Sequence, residues 1–299
     1  MADVVWMNGE FVEREAARVS AFDAGLLHGV GLFETMLATR TGVFQLHAHL
    51  ERLRESARVL GLTESLRTNA LAHAVEQCVE RSELAVGDGQ ARVRLTLTGG
   101  DLNMLASTAK GPTDPTIIIS VTRATTYPAE MFERGVGVLV ASAKANPLDP
   151  FAGHKTVNYW WRLRELQAAS TKGMGEALFL QVTNHVSGGA VSNVFIVRDG
   201  TLHTPIARGE EERGGVPSPV LPGTTRAVIM ELAERTGVGC GKHMLNIGDV
   251  LDADEVFLTN ASWGVLPVVQ VESKAIGTGS PGPMAQRLRE MWLEAINAA

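Results

Sequence analysis

The apolar residues of this chain fall into short runs, and that limits what it can fold into. The longest, residues 116–121 and 136–141, have the length of strands. A membrane-spanning helix needs about 20 apolar residues in succession. Elsewhere the apolar pattern has two periods. Val93, Leu95 and Leu97 alternate with polar residues, as in a half-buried strand. Leu50, Leu53, Ala57 and Leu60 recur at three- and four-residue spacing, which is one face of a helix over 47–60. Residues 4–12 predict a hairpin turning at Asn8-Gly9. Strands are predicted at 32–39, 43–46, 91–98 and 116–122, with a second helix at 66–81 and a long loop at 99–115. After a boundary near 128–134, strands follow at 136–143, 177–182, 193–197 and 255–259. Helices are expected at 159–170, 225–236 and 284–297. Strands and helices in this order predict an α+β protein with mixed sheets and packed helices. Its domains would be a smaller one over 1–125 and a larger one over 126–299.

Composition narrows the function classes. A hydrophobic share of 45% and a charged share of 20% are those of a globular protein. The net charge is -6 with no basic stripe, so nucleic acid is not an expected partner. Two widely separated cysteines, Cys78 and Cys240, argue against a disulfide framework and fit a reducing cytoplasm. The N-terminus has no basic start and no apolar run, so no signal peptide and no membrane anchor are expected. The eight histidines lack metal-ligand spacing, and no metal is predicted.

Lys155 stands out. It lies in Gly153-His154-Lys155-Thr156-Val157-Asn158-Tyr159-Trp160-Trp161, where its only charged neighbour before Arg162 is His154. An amine among apolar groups is easier to deprotonate, and a neutral lysine amine is a nucleophile toward carbonyls. A lysine snorkelling from a helix start would also fit this run. Leu221-Pro222-Gly223-Thr224-Thr225-Arg226 leads into a helix, which makes either an ordinary N-cap or a phosphate site. Arg52 on the first long helix suits bidentate phosphate binding or a pair with Glu34, Glu51 or Glu55. Residues 259–262 end a strand in small polar groups whose backbone N–H groups could meet an anion. Arg92 and Arg94 share a strand face and suit carboxylates of either protein or substrate.

Together these segments resemble the fold-type IV pyridoxal-phosphate enzymes, the class-IV aminotransferases. That group includes branched-chain aminotransferases, D-amino acid aminotransferases and aminodeoxychorismate lyases. The resemblance runs through Met7–Val12, Phe22–Thr35, His49–Ala57, Lys155 with Asn158-Tyr159, Ser192-Asn193-Val194-Phe195, Leu221–Arg226 and Asp254–Asn260. It implies a two-domain enzyme, a homodimer, with the site between its domains and the lysine in the larger one. Pyridoxal 5'-phosphate would be the cofactor, joined to Lys155 as a Schiff base. Lys155 would then move the proton between the substrate's Cα and the cofactor. Arg52, Gly223, Thr224, Thr225, Ala261 and Ser262 would grip the phosphate. Tyr159 would reach the phenolic oxygen, with Ser192 and Asn193 close to the ring. Phe33, Thr35 and Leu37 would line an apolar substrate pocket. Arg94, followed by Gly100-Asp101-Leu102-Asn103-Met104, is most similar to the branched-chain pattern. The substrates implied are an apolar amino acid and a 2-oxo acid.

Two positions depart from the family. A glutamate that contacts the pyridine nitrogen normally stands five residues before Asn193, and here that position is Gly188. A hydrogen bond to a charged group is worth about 1.5–3 kcal/mol, which corresponds to a rate loss of roughly ten- to hundredfold. Ser187, Ser192 or a water would have to serve that nitrogen instead. Ala261 stands where branched-chain enzymes place a phosphate-binding threonine, with Ser262 beside it. Three functions therefore follow: an aminotransferase, an aminodeoxychorismate-type lyase, or a cofactor-binding protein with weak turnover.

Overall fold

A computed structural model describes residues 4–101 and 115–298. Leu102-Asn103-Met104 and most of the expected 99–115 loop lie outside the described residues. The fold forms two compact units. The first holds the described residues up to Thr125, His154–Asn158, and the chain end from Ile296. The second holds Thr126–Gly153 and Tyr159–Ala295.

The first unit contains β1 (Val4–Met7), β2 (Glu10–Val12), α1 (Ala24–His28), β3 (Gly31–Thr39), β4 (Gly42–Val43), α2 (Leu46–Val59), α3 (Thr68–Ser82), β5 (Ala91–Thr98) and β6 (Ile117–Arg123). Its six strands form a sheet in the order β2-β1-β6-β5-β3-β4, and the paired strands run antiparallel. Successive strand residues face opposite sides. Leu32, Met36 and Ala38 of β3 therefore join Val93, Leu95 and Leu97 of β5 in a core with Leu50, Leu53 and Ala57 of α2. Phe33, Thr35 and Leu37 look the other way, and the β3–β5 register pairs them with Thr96, Arg94 and Arg92. The strand expected over 43–46 stops at Val43. Gln45 has φ 56°, which breaks the extended chain, and α2 begins at Leu46.

The second unit contains α4 (Glu130–Glu133), β7 (Val136–Ala145), α5 (Trp160–Thr171), β8 (Glu176–Gln181), β9 (Val186–Gly189), β10 (Asn193–Arg198), β11 (Thr201–Pro205), α6 (Thr224–Arg235), β12 (Cys240–His243), α7 (Ile247–Leu251), β13 (Glu255–Asn260), β14 (Gly264–Val271), β15 (Lys274–Ala275) and most of α8 (Pro283–Ala298), whose end from Ile296 belongs to the first unit. Its nine-stranded sheet runs β12-β11-β10-β13-β14-β7-β8-β9, with β15 paired to β14. The β14–β7, β7–β8 and β11–β12 pairs are parallel and the others antiparallel. Val194, Ile196, Val256, Leu258, Leu266 and Val268 supply one core of the sheet.

The lysine segment corrects an expectation. Lys155 belongs with the first unit, not with the larger C-terminal one. Phe33 N–H donates to Lys155 O at 2.9 Å, and Val157 N–H donates to Gly31 O at 3.0 Å. Thr156 bridges Leu32 in antiparallel register. The segment thus adds itself to the edge of β3, and its backbone bonds tie it to that strand.

Candidate active site

In the first unit, β3 and the lysine segment bring three expected residues together. Phe33 is buried on β3. Lys155 Nζ lies 4.3 Å from its ring centroid and Arg94 Cζ 3.4 Å. Arg94 Nε also donates to Thr96 Oγ1 at 3.2 Å, which fixes the guanidinium along β5. The Arg94 guanidinium gains from the negative face of the aromatic ring. Its charge beside the Lys155 amine makes a place suited to an anion. Thr35 is half-buried and Leu37 is buried on the same strand face.

On the other face of β3, Arg52 is held by Glu34. Its Nε and Nη2 donate to the Glu34 carboxylate at 2.8 and 2.5 Å, and His49 Nδ1 approaches that carboxylate at 2.7 Å. Burial alone would raise the Glu34 pKa. The adjacent Arg52 and His49 outweigh it and hold it down at about 2. His49 is pushed below its ordinary value, first by burial and then by the Arg52 and Lys155 charges, against the pull of Glu34. A neutral His49 keeps its Nδ1 proton for Glu34. Its 3.3 Å approach to Arg52 Nη2 then sets two donors side by side and is no hydrogen bond. Arg52 is therefore the charge partner of Glu34, and the pair orients the guanidinium on α2.

In the second unit, the turn before α6 is the segment where an anion site is expected. Gly223 is the N-cap of α6, and as a glycine it brings no side chain to cap the helix. Thr224 and Thr225 open the helix and are buried. A Cβ on Gly223 would collide with Asn193 Oδ1. Asn193 Nδ2 donates to Leu221 O at 2.8 Å, so this residue clamps the turn to β10. Arg226, also buried, donates to both Glu210 oxygens at 2.9 and 2.7 Å, and to Pro205 O and Thr204 Oγ1. These bonds tie the first turn of α6 to the β11 end. Thr259 Oγ1 is buried without a hydrogen-bond partner. A buried hydroxyl left unsatisfied is costly, so this one calls for a ligand or a water.

Several expected ligand groups are engaged inside the protein. Tyr159 donates its hydroxyl proton to Ala190 O at 2.7 Å. A cofactor oxygen would have to compete for that proton. The Ser192 hydroxyl donates to Glu176 at 3.0 Å. The 260–263 turn closes on itself, because Ser262 and Trp263 N–H both donate to Asn260 Oδ1. Ser262 then keeps only its hydroxyl to offer.

Glu176 escaped the sequence reading. It is fully buried and accepts from the N–H groups of Ala177, Ala190 and Val191 besides the Ser192 hydroxyl. Burial pushes its pKa up, and the four donors pull the other way. The carboxylate holds the 190–192 turn that receives Tyr159. Its signal was a carboxylate opening the apolar run Ala177-Leu178-Phe179-Leu180. Thr259 was visible only as part of a motif.

Gly188 lies in β9 with φ 134°, and a Cβ there would stand 2.9 Å from Ser192 O. Position 188 is therefore shaped around a glycine backbone. Within the second unit, the α6 N-terminus at Gly223 and the buried, unpartnered Thr259 hydroxyl suit a phosphate, and position 188 brings no carboxylate.

The family model described as amino-transferase class IV matches residues 31–271. The chain belongs to the class IV aminotransferase family. It is accordingly an enzyme, in a family that uses pyridoxal phosphate. It is 30% identical over 318 residues to a branched-chain-amino-acid aminotransferase of Salmonella typhimurium, covering 99% of this chain and 98% of that one. Its fold is similar to the crystal structure of Escherichia coli branched-chain amino acid aminotransferase, with TM-score 0.87, 29% identity, and 98% and 94% of the two chains covered. A branched-chain amino acid aminotransferase of T.th., solved with pyridoxamine 5'-phosphate, also matches at TM-score 0.87 and 27% identity, covering 100% of this chain and 95% of that one. This class IV aminotransferase carries Lys155, the Leu221–Arg226 turn and a glycine at position 188.

Proposed function

We propose that this enzyme binds pyridoxal 5'-phosphate and moves an amino group from an apolar, branched-chain-like amino acid to a 2-oxo acid. The observation that carries the reading is Lys155 Nζ at 4.3 Å from the buried Phe33 ring, with Arg94 on the same ring. An apolar surface with the Arg94 guanidinium beside the lysine suits an amino acid that has an apolar side chain and a free carboxylate.

Bound pyridoxal phosphate supplies an aldehyde carbon to which amines attach and a ring that accepts electron density. Lys155 Nζ would take the proton from the substrate's Cα and return it. Arg94 would hold the substrate carboxylate, and Phe33, Thr35 and Leu37 would contact the side chain. Arg52 would meet the phosphate as a fixed cation, already oriented by Glu34. Gly223, Thr224 and Thr225 would offer the α6 N-terminus, whose dipole favours negative charge. Thr259 would add its hydroxyl, with Ala261 and Ser262 beside it. Tyr159, Ser192 and Asn193 would hold the surrounding turns in place. Transamination is favoured over elimination by the names of the relatives.

The test combines trapping with turnover. Borohydride should fix the cofactor onto the Lys155 peptide, as read by mass spectrometry, and Lys155→Ala should lose that adduct. Leucine, isoleucine or valine with 2-oxoglutarate should yield glutamate. An adduct that survives Lys155→Ala, or bound cofactor with no glutamate formed, would overturn the reading.

A further inference from the structure

At the edge of the second unit's sheet, β11 and β12 run parallel, and His203 pairs with Gly241. His243 lies two residues further along β12, so both histidines occupy the face that Gly241 leaves bare. Their ring centroids are 5.1 Å apart and the rings are tilted by 49°, so the rings do not stack. His203 Nδ1 stands 3.2 Å from the point a Cβ on Gly241 would occupy, and His243 Nε2 is closer still. Two imidazole nitrogens thus converge on one space above a glycine.

We propose that His203 and His243 form a site for a divalent transition-metal ion of the imidazole-preferring class, Zn2+, Cu2+ or Ni2+. Metal–imidazole bonds of about 2.0–2.1 Å, with the ring centre roughly 1.1 Å behind its nitrogen, set each centroid about 3.2 Å from the ion. Two such rings at a tetrahedral angle stand about 5.2 Å apart. The observed separation meets that value without moving either strand.

The surroundings keep the pair available. Cys240 and Lys242 face the other side of β12, where Lys242 Nζ pairs with Glu210 at 2.8 Å. Leu202 N–H donates to Gly239 O and Ile206 N–H to His243 O, which pins the two strands on either side of the pair. Binding needs neutral imidazole. His203 lies below its ordinary pKa, first through burial, then through His243 and Arg198, with Asp249 opposing them. Asp249 is itself paired with Arg198 at 3.6 Å. Among the described residues no third His, Cys, Asp or Glu joins the group, so water completes the ion's shell. This differs from the absence of metal expected from the spacing of the histidines in sequence. The two histidines meet across strands, where sequence spacing carries no signal.

Cu2+ is the probe, because it stands highest in the affinity order for such ligands. Titrated into the cofactor-loaded enzyme at about pH 7.5, it should bind at one equivalent, with an electron paramagnetic resonance spectrum showing two imidazole nitrogens. His203→Ala and His243→Ala should each weaken binding at least about tenfold, a loss of roughly 1.4 kcal/mol. Both should leave transamination unchanged. Gly241→Ala keeps both rings but fills the gap, and it too should weaken binding. Binding that is unchanged in the two histidine variants, or a spectrum with fewer than two imidazole nitrogens, overturns the proposal. So does a Gly241→Ala enzyme that folds and binds Cu2+ as tightly as the parent.

Discussion

Glu34 accepts hydrogen bonds from Arg52 and His49 while only 1% exposed. Its folded pKa of about 2 lies below the ordinary 4.5. A depressed carboxylate stabilises the fold fully above the unfolded value, and that contribution is lost as pH falls from 4.5 toward 2. The shift corresponds to roughly 3 kcal/mol. His49, held below its usual value, adds to acid lability, because the unfolded chain takes up the proton more readily. Glu34→Gln should therefore lower stability at neutral pH by roughly 3 kcal/mol, since it leaves a half-paired buried arginine. It should also flatten the dependence of Tm on pH between about 5 and 3. Parallel Tm–pH curves for the two proteins would show that another group governs the acid limb. Glu210, lowered to about 2 by Arg226 and Lys242 against its burial, remains in both proteins and cancels in the comparison.

Among the elements, β9 has the sharpest constraint. Gly188, with φ 134° and Ser192 O 2.9 Å from any Cβ, stands in backbone that L side chains rarely adopt. Gly188→Glu should restore no family contact without first moving this strand. It should cost roughly 1–3 kcal/mol, seen as a lower urea midpoint. Gly188→Ala should share most of that loss, because the strain comes from Cβ. An unchanged midpoint in Gly188→Ala would show that the strand relaxes freely. The elements also mark how far a sequence can be read. The alternation in β5 and the apolar stripe of α2 were legible, because each is a local period facing one core. β14 was not, although it is buried along most of its length, because it contains Gly264 and Pro267, residue types that are depleted in strand interiors. In a sheet, partner strands supply what local propensity lacks. The site divides in the same way. Lys155, Arg52 and the α6 turn announced themselves by residue type and order. Glu176 and Thr259 matter through partners, or the lack of one, which only folding reveals.

At the scale of the whole molecule, the expected homodimer has a candidate surface. Phe22, Leu26 and Leu27 in and beside α1 are 70%, 66% and 54% exposed. Exposed apolar residues gathered in one short segment suit association. Light scattering should give twice the chain's 32.0 kDa, and Leu26→Glu with Leu27→Glu should shift that toward one chain. A parent enzyme that runs as a single chain would remove the dimer from the reading.

The path of the chain through its two units carries one more consequence. The first unit's sheet is laid down within the first 125 residues, yet its β3 edge is completed by 154–158. Thr39 and Thr41 hydroxyls wait to donate to Ile296 O at 3.0 and 3.1 Å. A ribosome therefore begins this unit first and finishes it last. Neither unit can be excised at a single cut or swapped as a cassette. Lys155 comes to rest on a strand made more than a hundred residues earlier, so anything that occupies that strand's edge during synthesis would keep Lys155 from its place beside Phe33.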